Sequence, residues 1–368
     1  MKILLLGEYS NVHWTLAEGL RQLGHEVTVV SNGDFWKDYP RDIDVSRPQG
    51  RLAGLRLLTR IYMLLPRLKG YDIVQLINPM FLELRAERLF SIYRYLRRNN
   101  KRVVLGAFGM DWYWVHGCTY DKPLRYSDFN IGEKLRTDED AVREQRDWMG
   151  TAKERLNRLI ANDCDAIVTG LYEYDVCYRP HFPQKTWFMP LPIKMPDTYA
   201  TDRCKRSKVS LFIGINASRS AYKGTDIMLR AATDIRAKYA HRMVLNVAES
   251  LPFDEYQIMM EGSDAILDQL YSYTPSMNSL LAMSKGIICI GGGEPENYSI
   301  IGEDELRPII NVQPTYESVY KATEQLVLHP EDIARLKQQG IEYVRRHHDY
   351  LKVARQYEQL YLRLQEQT

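Results

Sequence analysis

The chain has 368 residues, a length that suits about two domains, each large enough to bury its own core. Its 49 Lys and Arg residues against 47 Asp and Glu residues give a formal net charge of +2, which excludes a general electrostatic attraction to nucleic acid. Hydrophobic residues make up 45% and charged residues 26%, values typical of a globular protein, and no stretch approaches the roughly 20 apolar residues of a membrane span.

The cysteines and the first residues indicate the compartment. The five cysteines are Cys118, Cys164, Cys177, Cys204 and Cys289. An odd number with no CxxC spacing argues against a disulfide framework and against a zinc site, so we expect free thiols in a reducing cytoplasm and no metal. The first predicted strand runs into Gly-Glu-Tyr with neither the apolar region nor the cleavage site of a secretory signal.

Short runs rich in Val, Ile and Leu alternate with helical patterns along the chain. These runs are 3–6, 27–30, 73–77, 103–107, 166–169, 209–213, 243–247, 265–267, 287–290 and 308–311. Strands buried on both faces have this composition, and their alternation with helices predicts parallel α/β sheets. The first β-α-β unit is the clearest, because apolar residues at helical spacing follow the first run and Gly24 supplies a left-handed stop.

Prolines interrupt this alternation over 189–208, with three prolines among the first eight residues. We therefore predict an N-terminal α/β domain over 1–190 and a C-terminal α/β domain over 191–345, facing each other across a cleft. The periodicity over 341–364 predicts one continuous helix, and we expect 346–368 to pack back on the first domain.

Two cations lie in a candidate anion site in the second half. Arg219 and Lys223 follow the run at 209–213, and Gly224 then opens a helix whose free N–H groups favour negative charge. Two cations four residues apart beside a helix start can neutralise a diphosphate. The alternative is that both are solvated loop charges.

A second block, 263–296, combines a helix entrance with a glycine-rich turn. Ser276 and Asn278 suit the start of a helix. Three glycines, 291–293, follow the run at 287–290, and Glu294 and Glu296 come next. Glycines at the end of a core strand allow the backbone to approach a ligand closely.

Together these blocks resemble the C-terminal domain of GT-B fold glycosyltransferases, most nearly the retaining family 4 (glycosyl transferases group 1). The resemblance rests on Arg219 and Lys223-Gly224, on Ser-Asp-Ala-Ile-Leu at 263–267, on Leu-Ala-Met-Ser-Lys-Gly at 281–286 and on Gly-Gly-Glu-Pro-Glu at 292–296. Looser matches in the first half are Leu-Gly-His-Glu-Val-Thr-Val-Val at 23–30, Tyr-Asp-Ile-Val-Gln-Leu at 71–76 and Phe-Gly-Met-Asp at 108–111.

The resemblance implies two Rossmann-like domains and a nucleotide-sugar donor, UDP- or GDP-linked, as substrate, with no cofactor and no obligatory metal. It implies that Arg219 and Lys223 stabilise the departing diphosphate. It further implies that the donor is bound by Gly224, Ser276, Asn278, Gly292, Gly293, Glu294 and Glu296.

The sequence departs from the family at one pair of positions. The family usually carries two glutamates eight positions apart, and the corresponding residues here are Tyr273 and Leu281. Since the second glutamate normally holds the nucleotide ribose, this protein must either hold the ribose by other means or bind a nucleotide poorly. Glu294 and Glu296 are the candidates to replace it.

In the first half, His13 and Asp111 are candidate catalytic residues on the acceptor side. An imidazole can hydrogen-bond sugar hydroxyls, but a lone histidine near a helix entrance also fits a structural role. Asp111 follows the run at 103–107 and is flanked by aromatic residues, and the alternative is a turn residue that caps the next helix.

The stretch 55–70 combines apolar residues with four basic ones, a pattern typical of a helix that lies on an anionic membrane surface. It predicts a peripheral membrane contact, as in family members with lipid-linked acceptors. The alternative is a helix packed on its own sheet with solvated arginines.

We therefore predict a cytoplasmic hexosyltransferase-type enzyme that transfers a sugar, with retention, to a glycan or lipid-linked acceptor in cell-surface polysaccharide synthesis. One alternative is a catalytically inactive GT-B scaffold or binding protein, which the missing glutamates would permit. Another is a nucleotide-sugar epimerase. A dinucleotide oxidoreductase is disfavoured because no GxGxxG follows the first strand.

Overall fold

The computed structural model describes residues 1–196, 208–216, 219–249 and 253–366. Cys204 and most of the proline-rich junction predicted at 189–208 lie outside the described residues. The described strands are β1 (Lys2–Leu6), β2 (Glu26–Ser31), β3 (Ile43–Asp44), β4 (Ile73–Leu76), β5 (Arg102–Ala107), β6 (Asn130–Ile131), β7 (Lys134–Leu135), β8 (Ala166–Thr169), β9 (Thr186–Phe188), β10 (Val209–Ile215), β11 (Met243–Glu249), β12 (Ala265–Leu267), β13 (Ile288–Gly291) and β14 (Ile310–Asn311).

The α-helices alternate with these strands. They are α1 (Val12–Gln22), α2 (Ala53–Leu64), α3 (Ala86–Asn99), α4 (Trp112–His116), α5 (Glu139–Trp148), α6 (Ala152–Asp163), α7 (Tyr172–Tyr178), α8 (Ser220–Lys223), α9 (Thr225–Lys238), α10 (Phe253–Glu261), α11 (Met277–Ser284), α12 (Pro295–Ile301), α13 (Tyr316–Leu328), α14 (Ile333–His347) and α15 (Tyr350–Glu366). Short 3₁₀ helices occur at Phe35–Lys37, Leu65–Arg67 and Pro330–Asp332, and a π-helix at Gly117–Asp121.

The chain divides into two compact units. Unit 1 comprises Met1–Pro123, Arg143–Pro192 and Tyr350–Thr368, and unit 2 comprises Leu124–Val142 and Ile193–Asp349. The domain limits predicted from the sequence stay predictions. The segment 124–142, which the sequence analysis assigned to the first domain, is grouped with unit 2.

Unit 1 is built on a seven-stranded parallel sheet in the order β3-β2-β1-β4-β5-β8-β9. Residues Ile3 to Leu6 of β1 are all 0% exposed, as expected for a strand covered on both faces. The strand order reverses between β1 and β4, and ligands of such sheets bind beyond the carboxyl ends of the strands at this point. Gly7, directly after β1, has φ +84°, and a Cβ there would lie 2.3 Å from Ile77 Cγ2.

The last helix, α15, completes the core of unit 1. Its apolar face packs with Leu16, Ala17 and Leu20 of α1 in one cluster. The two helices approach so closely that a Cβ on Gly19 would lie 2.7 Å from that of Ala354. The Tyr361 hydroxyl donates to Gln75 Oε1 of the central strand at 2.8 Å.

The prediction of one continuous helix over 341–364 is wrong, because α14 ends at His347 and α15 begins at Tyr350. The Ile193 N–H donates to the His348 carbonyl at 2.7 Å, and Ile193 and Asp349 form a parallel bridge. A carbonyl held by another segment of the chain does not continue the helix, so the break has a tertiary cause that the local periodicity does not contain.

Unit 2 contains a five-stranded parallel sheet in the order β11-β10-β12-β13-β14. Here the strand order reverses between β10 and β12, so the segments that follow these two strands are placed for ligand binding. Leu211, Ile213 and Leu267 of these strands pack with Met228 and Ile235 of α9. The parallel α/β fold predicted from the sequence is confirmed in both units.

Candidate functional site

The cation loop, defined as residues 219–224, connects β10 with α9 in unit 2. Arg219 and Lys223 are half-buried, and Gly224 has φ +71°, which a residue with a side chain rarely adopts. The Arg219 guanidinium lies 4.9 Å from the centre of the Tyr222 ring. Its buried Nε has no hydrogen-bond acceptor among the described residues. A buried cationic N–H without an acceptor favours an anion at this loop.

Asp128, which the sequence analysis missed, lies within electrostatic range of this loop. Burial raises the pKa of its carboxyl, while the neighbouring Tyr222 side chain and the charges of Arg136, Arg219 and Lys223 act in the opposite direction. No local sequence pattern identifies Asp128, because it precedes the cation loop by about ninety residues along the chain.

A connecting segment, residues 270–274, joins the cation loop to the glycine-rich turn. The Leu270 N–H donates to the Lys223 carbonyl at 3.1 Å, and the Glu294 N–H donates to the Tyr273 carbonyl at 3.1 Å. A Cβ on Gly224 would lie 2.6 Å from Leu270 Cβ. The residues predicted in these two blocks are therefore tied together within unit 2 through one short segment.

The glycine-rich turn, residues 291–294, leads from β13 into α12. A Cβ on Gly292 would lie 2.3 Å from the Ser272 carbonyl oxygen, and one on Gly293 would lie 2.7 Å from Ile309 Cγ2. The position of these glycines at the end of a core strand predicted close approach of a ligand. The structure shows a second reason for them, which is close approach of neighbouring segments of the same unit.

Glu294 is the most heavily bonded carboxylate of the site, with its side chain only 4% exposed. It accepts hydrogen bonds from Arg125 at 2.7 Å, Tyr126 at 2.7 Å, Asn311 at 2.9 Å and Gln313. Burial opposes ionisation, but the bonds from Asn311, Tyr126 and Gln313 outweigh it and lower the pKa of Glu294. Glu296 also pairs with Arg125. The suggestion that either glutamate holds the ribose stays a prediction, and both are engaged by side chains of the chain itself.

Ser276 and Asn278 come together on Asp268, which follows β12 directly. The Ser276 hydroxyl donates to Asp268 Oδ2 at 2.9 Å, and Asn278 Nδ2 lies 3.3 Å from Asp268 Oδ1. Ser276 is the N-cap residue of α11, as its position predicted, but its side chain makes no capping hydrogen bond. Asp268 organises this helix entrance, and the sequence analysis did not identify it.

His13 lies in unit 1, where its ring is 0% exposed. Nδ1 lies 2.8 Å from the Gly7 carbonyl and must donate to it, so Nε2 is left to accept from Gln75 Nε2 at 3.2 Å. Burial lowers the pKa of His13 to about 3, against the opposing effect of the Gly7 carbonyl. With both ring nitrogens bonded, this environment favours the structural role for His13.

Asp111 is also fully buried in unit 1. It is the N-cap residue of α4, accepting from the Trp114 N–H at 2.9 Å, and it accepts from the Tyr178 hydroxyl at 2.7 Å. Burial raises its pKa to about 7, although the hydrogen bonds from Trp114 and Tyr178 favour the charged form. Asp111 therefore caps α4, as the alternative reading of the sequence expected. A catalytic role for Asp111 stays a prediction.

Glu8 is a further buried carboxyl that follows β1 in unit 1. It accepts from the backbone N–H groups of His13 at 3.2 Å and Trp14 at 2.8 Å, and so binds the start of α1. Burial raises its pKa to about 8 despite these bonds. Glu8 therefore occupies the start of α1, where its carboxyl group satisfies two free backbone N–H groups.

No family model matches the sequence, and no curated protein matches it. Solved structures do match. Sucrose-phosphate synthase from Thermosynechococcus elongatus is 11% identical with a TM-score of 0.66, each chain covered to 100%. The catalytic domain of starch synthase IV from Arabidopsis thaliana, bound to ADP and acarbose, is 12% identical with a TM-score of 0.61 over 99% of each chain.

HepE from Anabaena, in complex with UDP and glucose, is 11% identical with a TM-score of 0.59, over 98% of this chain and 99% of that one. At these identities the likeness concerns the fold. The doubly wound parallel sheets of both units and the nearly complete coverage agree with the expectation from the sequence. The chain therefore has the GT-B fold found in these glycosyltransferases.

Proposed function

We propose that this protein is a glycosyltransferase that transfers a sugar from a UDP- or GDP-linked donor to a glycan or lipid-linked acceptor in cell-surface polysaccharide synthesis. The observation that carries the proposal is the cation loop, where Arg219 and Lys223 directly precede α9 and the buried Arg219 Nε has no acceptor among the described residues. The fold adds support, since proteins that share it have been solved with UDP, UDP-glucose or ADP.

The cation loop would act on the leaving group. As the bond between the anomeric carbon and the diphosphate oxygen breaks, negative charge develops on the diphosphate. Arg219 and Lys223 would stabilise that charge more strongly in the transition state than in the bound donor, which is the condition for raising the rate. We propose that no obligatory metal is needed for this step.

We propose that transfer occurs with retention of configuration. The acceptor hydroxyl attacks the anomeric carbon from the face that the diphosphate leaves, and a phosphate oxygen takes the hydroxyl proton. Such a step needs no protein general base. The environment of His13 is compatible with it, because Nδ1 and Nε2 are both bonded inside unit 1.

A thermal-shift panel with UDP, GDP, ADP, CMP and dTDP, with and without EDTA, tests the donor class. A ligand at about 100 times its dissociation constant adds about 2.7 kcal/mol to the free energy of unfolding, which raises Tm by several degrees. We expect UDP or GDP to raise Tm, and the rise should be the same with and without EDTA. If no nucleotide raises Tm, the proposal of a nucleotide-sugar donor fails, and the result favours a catalytically inactive scaffold. Release of an altered free sugar without acceptor would identify an epimerase.

We also propose that the protein works at the cytoplasmic face of a membrane, through α2. No helix among the described residues is long and apolar enough to span a bilayer. Leu57, Ile61 and Leu64 of α2 are buried, as in the packed-helix alternative, but Leu55 is 60% and Met63 76% exposed. The segment 45–71 contains six basic residues and no acidic one. An apolar face flanked by cations favours an anionic lipid surface.

Removing two arginines of α2 should weaken vesicle binding. We expect the double variant Arg56→Gln, Arg60→Gln to bind vesicles containing phosphatidylglycerol about thirty-fold more weakly, since each basic residue near an anionic surface contributes about 1 kcal/mol. Co-sedimentation measures the binding, and pure phosphatidylcholine vesicles give the neutral reference. The matched control is Arg94→Gln, Arg98→Gln on the exposed side of α3. Equal binding by both double variants would contradict a contact through α2.

A further inference from the structure

The segment 124–142, hereafter the arm, belongs to unit 2 although the residues on both sides of it, Pro123 and Arg143, belong to unit 1. It contains the β6–β7 hairpin. Its conformation is fixed internally, since Asn130 Nδ2 donates to the Leu124 carbonyl at 3.0 Å and to the Gly132 carbonyl at 2.9 Å. The arm is therefore an ordered element with defined contacts.

One end of the arm holds the cation loop. Arg136, whose side chain is 7% exposed, donates from Nη2 to the Ala221 carbonyl at 2.8 Å and from Nη1 to the Tyr222 carbonyl at 3.0 Å. These carbonyls lie at the end of the short helix α8, where the last carbonyls of a helix need partners from outside it. Besides Arg136, the Gly224 N–H donates to the Ala221 carbonyl at 3.3 Å. The planar guanidinium also lies 3.7 Å from the centre of the Tyr271 ring. Arg136 thus fixes the backbone between Arg219 and Lys223.

The other end of the arm holds the glycine-rich turn. Arg125 pairs with Glu294 and Glu296, and the Tyr126 hydroxyl donates to Glu294 at 2.7 Å. The Arg125 N–H donates to the Tyr273 hydroxyl at 2.7 Å, and the Tyr126 and Tyr273 rings are 4.8 Å apart. The arm therefore packs on Tyr273, the residue that the resemblance matches to the family's first glutamate.

We propose that the arm is part of the donor site, with Arg136 and Arg125 as positioning residues for its two halves. Arg136 would set the cation loop, and with it affinity for the diphosphate of any donor. Arg125 would set the glycine-rich turn, and with it affinity for the sugar. This inference rests on the proposed function.

Two conservative variants test the assignment by calorimetric titration with UDP and UDP-glucose, or with GDP and GDP-mannose if GDP is the nucleotide that binds. Lysine at 136 keeps the charge but cannot bond two carbonyls as a fork, so Arg136→Lys should weaken binding of nucleotide and nucleotide sugar alike, about tenfold each. Arg125→Gln should weaken binding of the nucleotide sugar by a similar factor and leave binding of the nucleotide unchanged.

The control is Lys321→Met, which removes an exposed cation from α13 of the same unit, outside the arm, and should bind both ligands as the wild type does. Circular dichroism and Tm without ligand verify that each variant is folded. If folded Arg136→Lys binds UDP like the wild type, or if Arg125→Gln weakens both ligands equally, the assignment is overturned. If the wild type binds no nucleoside diphosphate at all, the proposed function itself fails, which is a separate and recognisable outcome.

Discussion

Replacing Lys223 with alanine is expected to weaken nucleoside-diphosphate binding by about one to two orders of magnitude, because a hydrogen bond to a charged group contributes about 1.5–3 kcal/mol. The effect on turnover should be larger, about 10²- to 10³-fold in kcat, since charge on the diphosphate grows as the glycosidic bond breaks. Titration calorimetry measures the binding, and release of UDP from UDP-glucose in the presence of acceptor measures the turnover.

The position of Lys223 gives this prediction its specificity. The residue closes α8 and immediately precedes Gly224, and its carbonyl is held by the Leu270 N–H at 3.1 Å. The matched control is Lys321→Ala, an exposed lysine in α13 of the same unit, which should bind and turn over like the wild type. Lys223→Arg keeps a cation at the loop and should recover part of the activity. Wild-type affinity in folded Lys223→Ala would remove the cation loop from the proposed mechanism.

The central strands and the cation loop could be predicted because their signals are local. Ile3–Leu6, Leu211–Ile213 and Ala265–Leu267 are apolar on both faces, and only a sheet covered on both sides accommodates such runs. Gly224 is likewise a local signal, because its left-handed backbone conformation, with φ +71°, ends α8 and precedes α9. The strands β3, β6, β7 and β9 were missed because their residues, Ile-Asp, Asn-Ile, Lys-Leu and Thr-Trp-Phe, do not form runs of Val, Ile and Leu.

The arm could not be assigned from the sequence because its contacts are distant along the chain. Arg136 bonds carbonyls 85 and 86 positions away, and Tyr126 bonds a glutamate 168 positions away. A single sequence contains no periodicity that records such pairs. The same reason explains why Glu294 was recognised as a candidate while its donors, Arg125 and Tyr126, were not.

Glu294 shows most clearly how the site depends on these distant contacts, and its replacement should cause the largest loss of stability. We expect Glu294→Ala to lower the free energy of unfolding by about 3 kcal/mol, because the buried Tyr126 hydroxyl loses its acceptor and Asn311 and Gln313 lose the same acceptor. Arg125 is 55% exposed and keeps Glu296 as a partner, so it adds little to this loss. For a unit of this size that corresponds to a fall in Tm of about 6–12 °C, measured by calorimetry. The control is Glu305→Gln, since Glu305 is 76% exposed and pairs with Arg346, and exposed pairs contribute about 0–1 kcal/mol.

The pH dependence separates an ionic role of Glu294 from simple packing. Because its pKa is lowered in the folded protein, the carboxylate stabilises the fold fully above the unfolded value of 4.5, and this contribution is lost as the pH falls through the folded pKa. The difference in stability between wild type and Glu294→Gln should therefore be largest near neutral pH and shrink below about pH 4.5. A difference that stays constant from pH 7 to pH 4 would mean that the charge of Glu294 does not hold the arm. In that case Arg125 could not set the glycine-rich turn through it, and the division of the donor site between Arg136 and Arg125 would lose its physical basis.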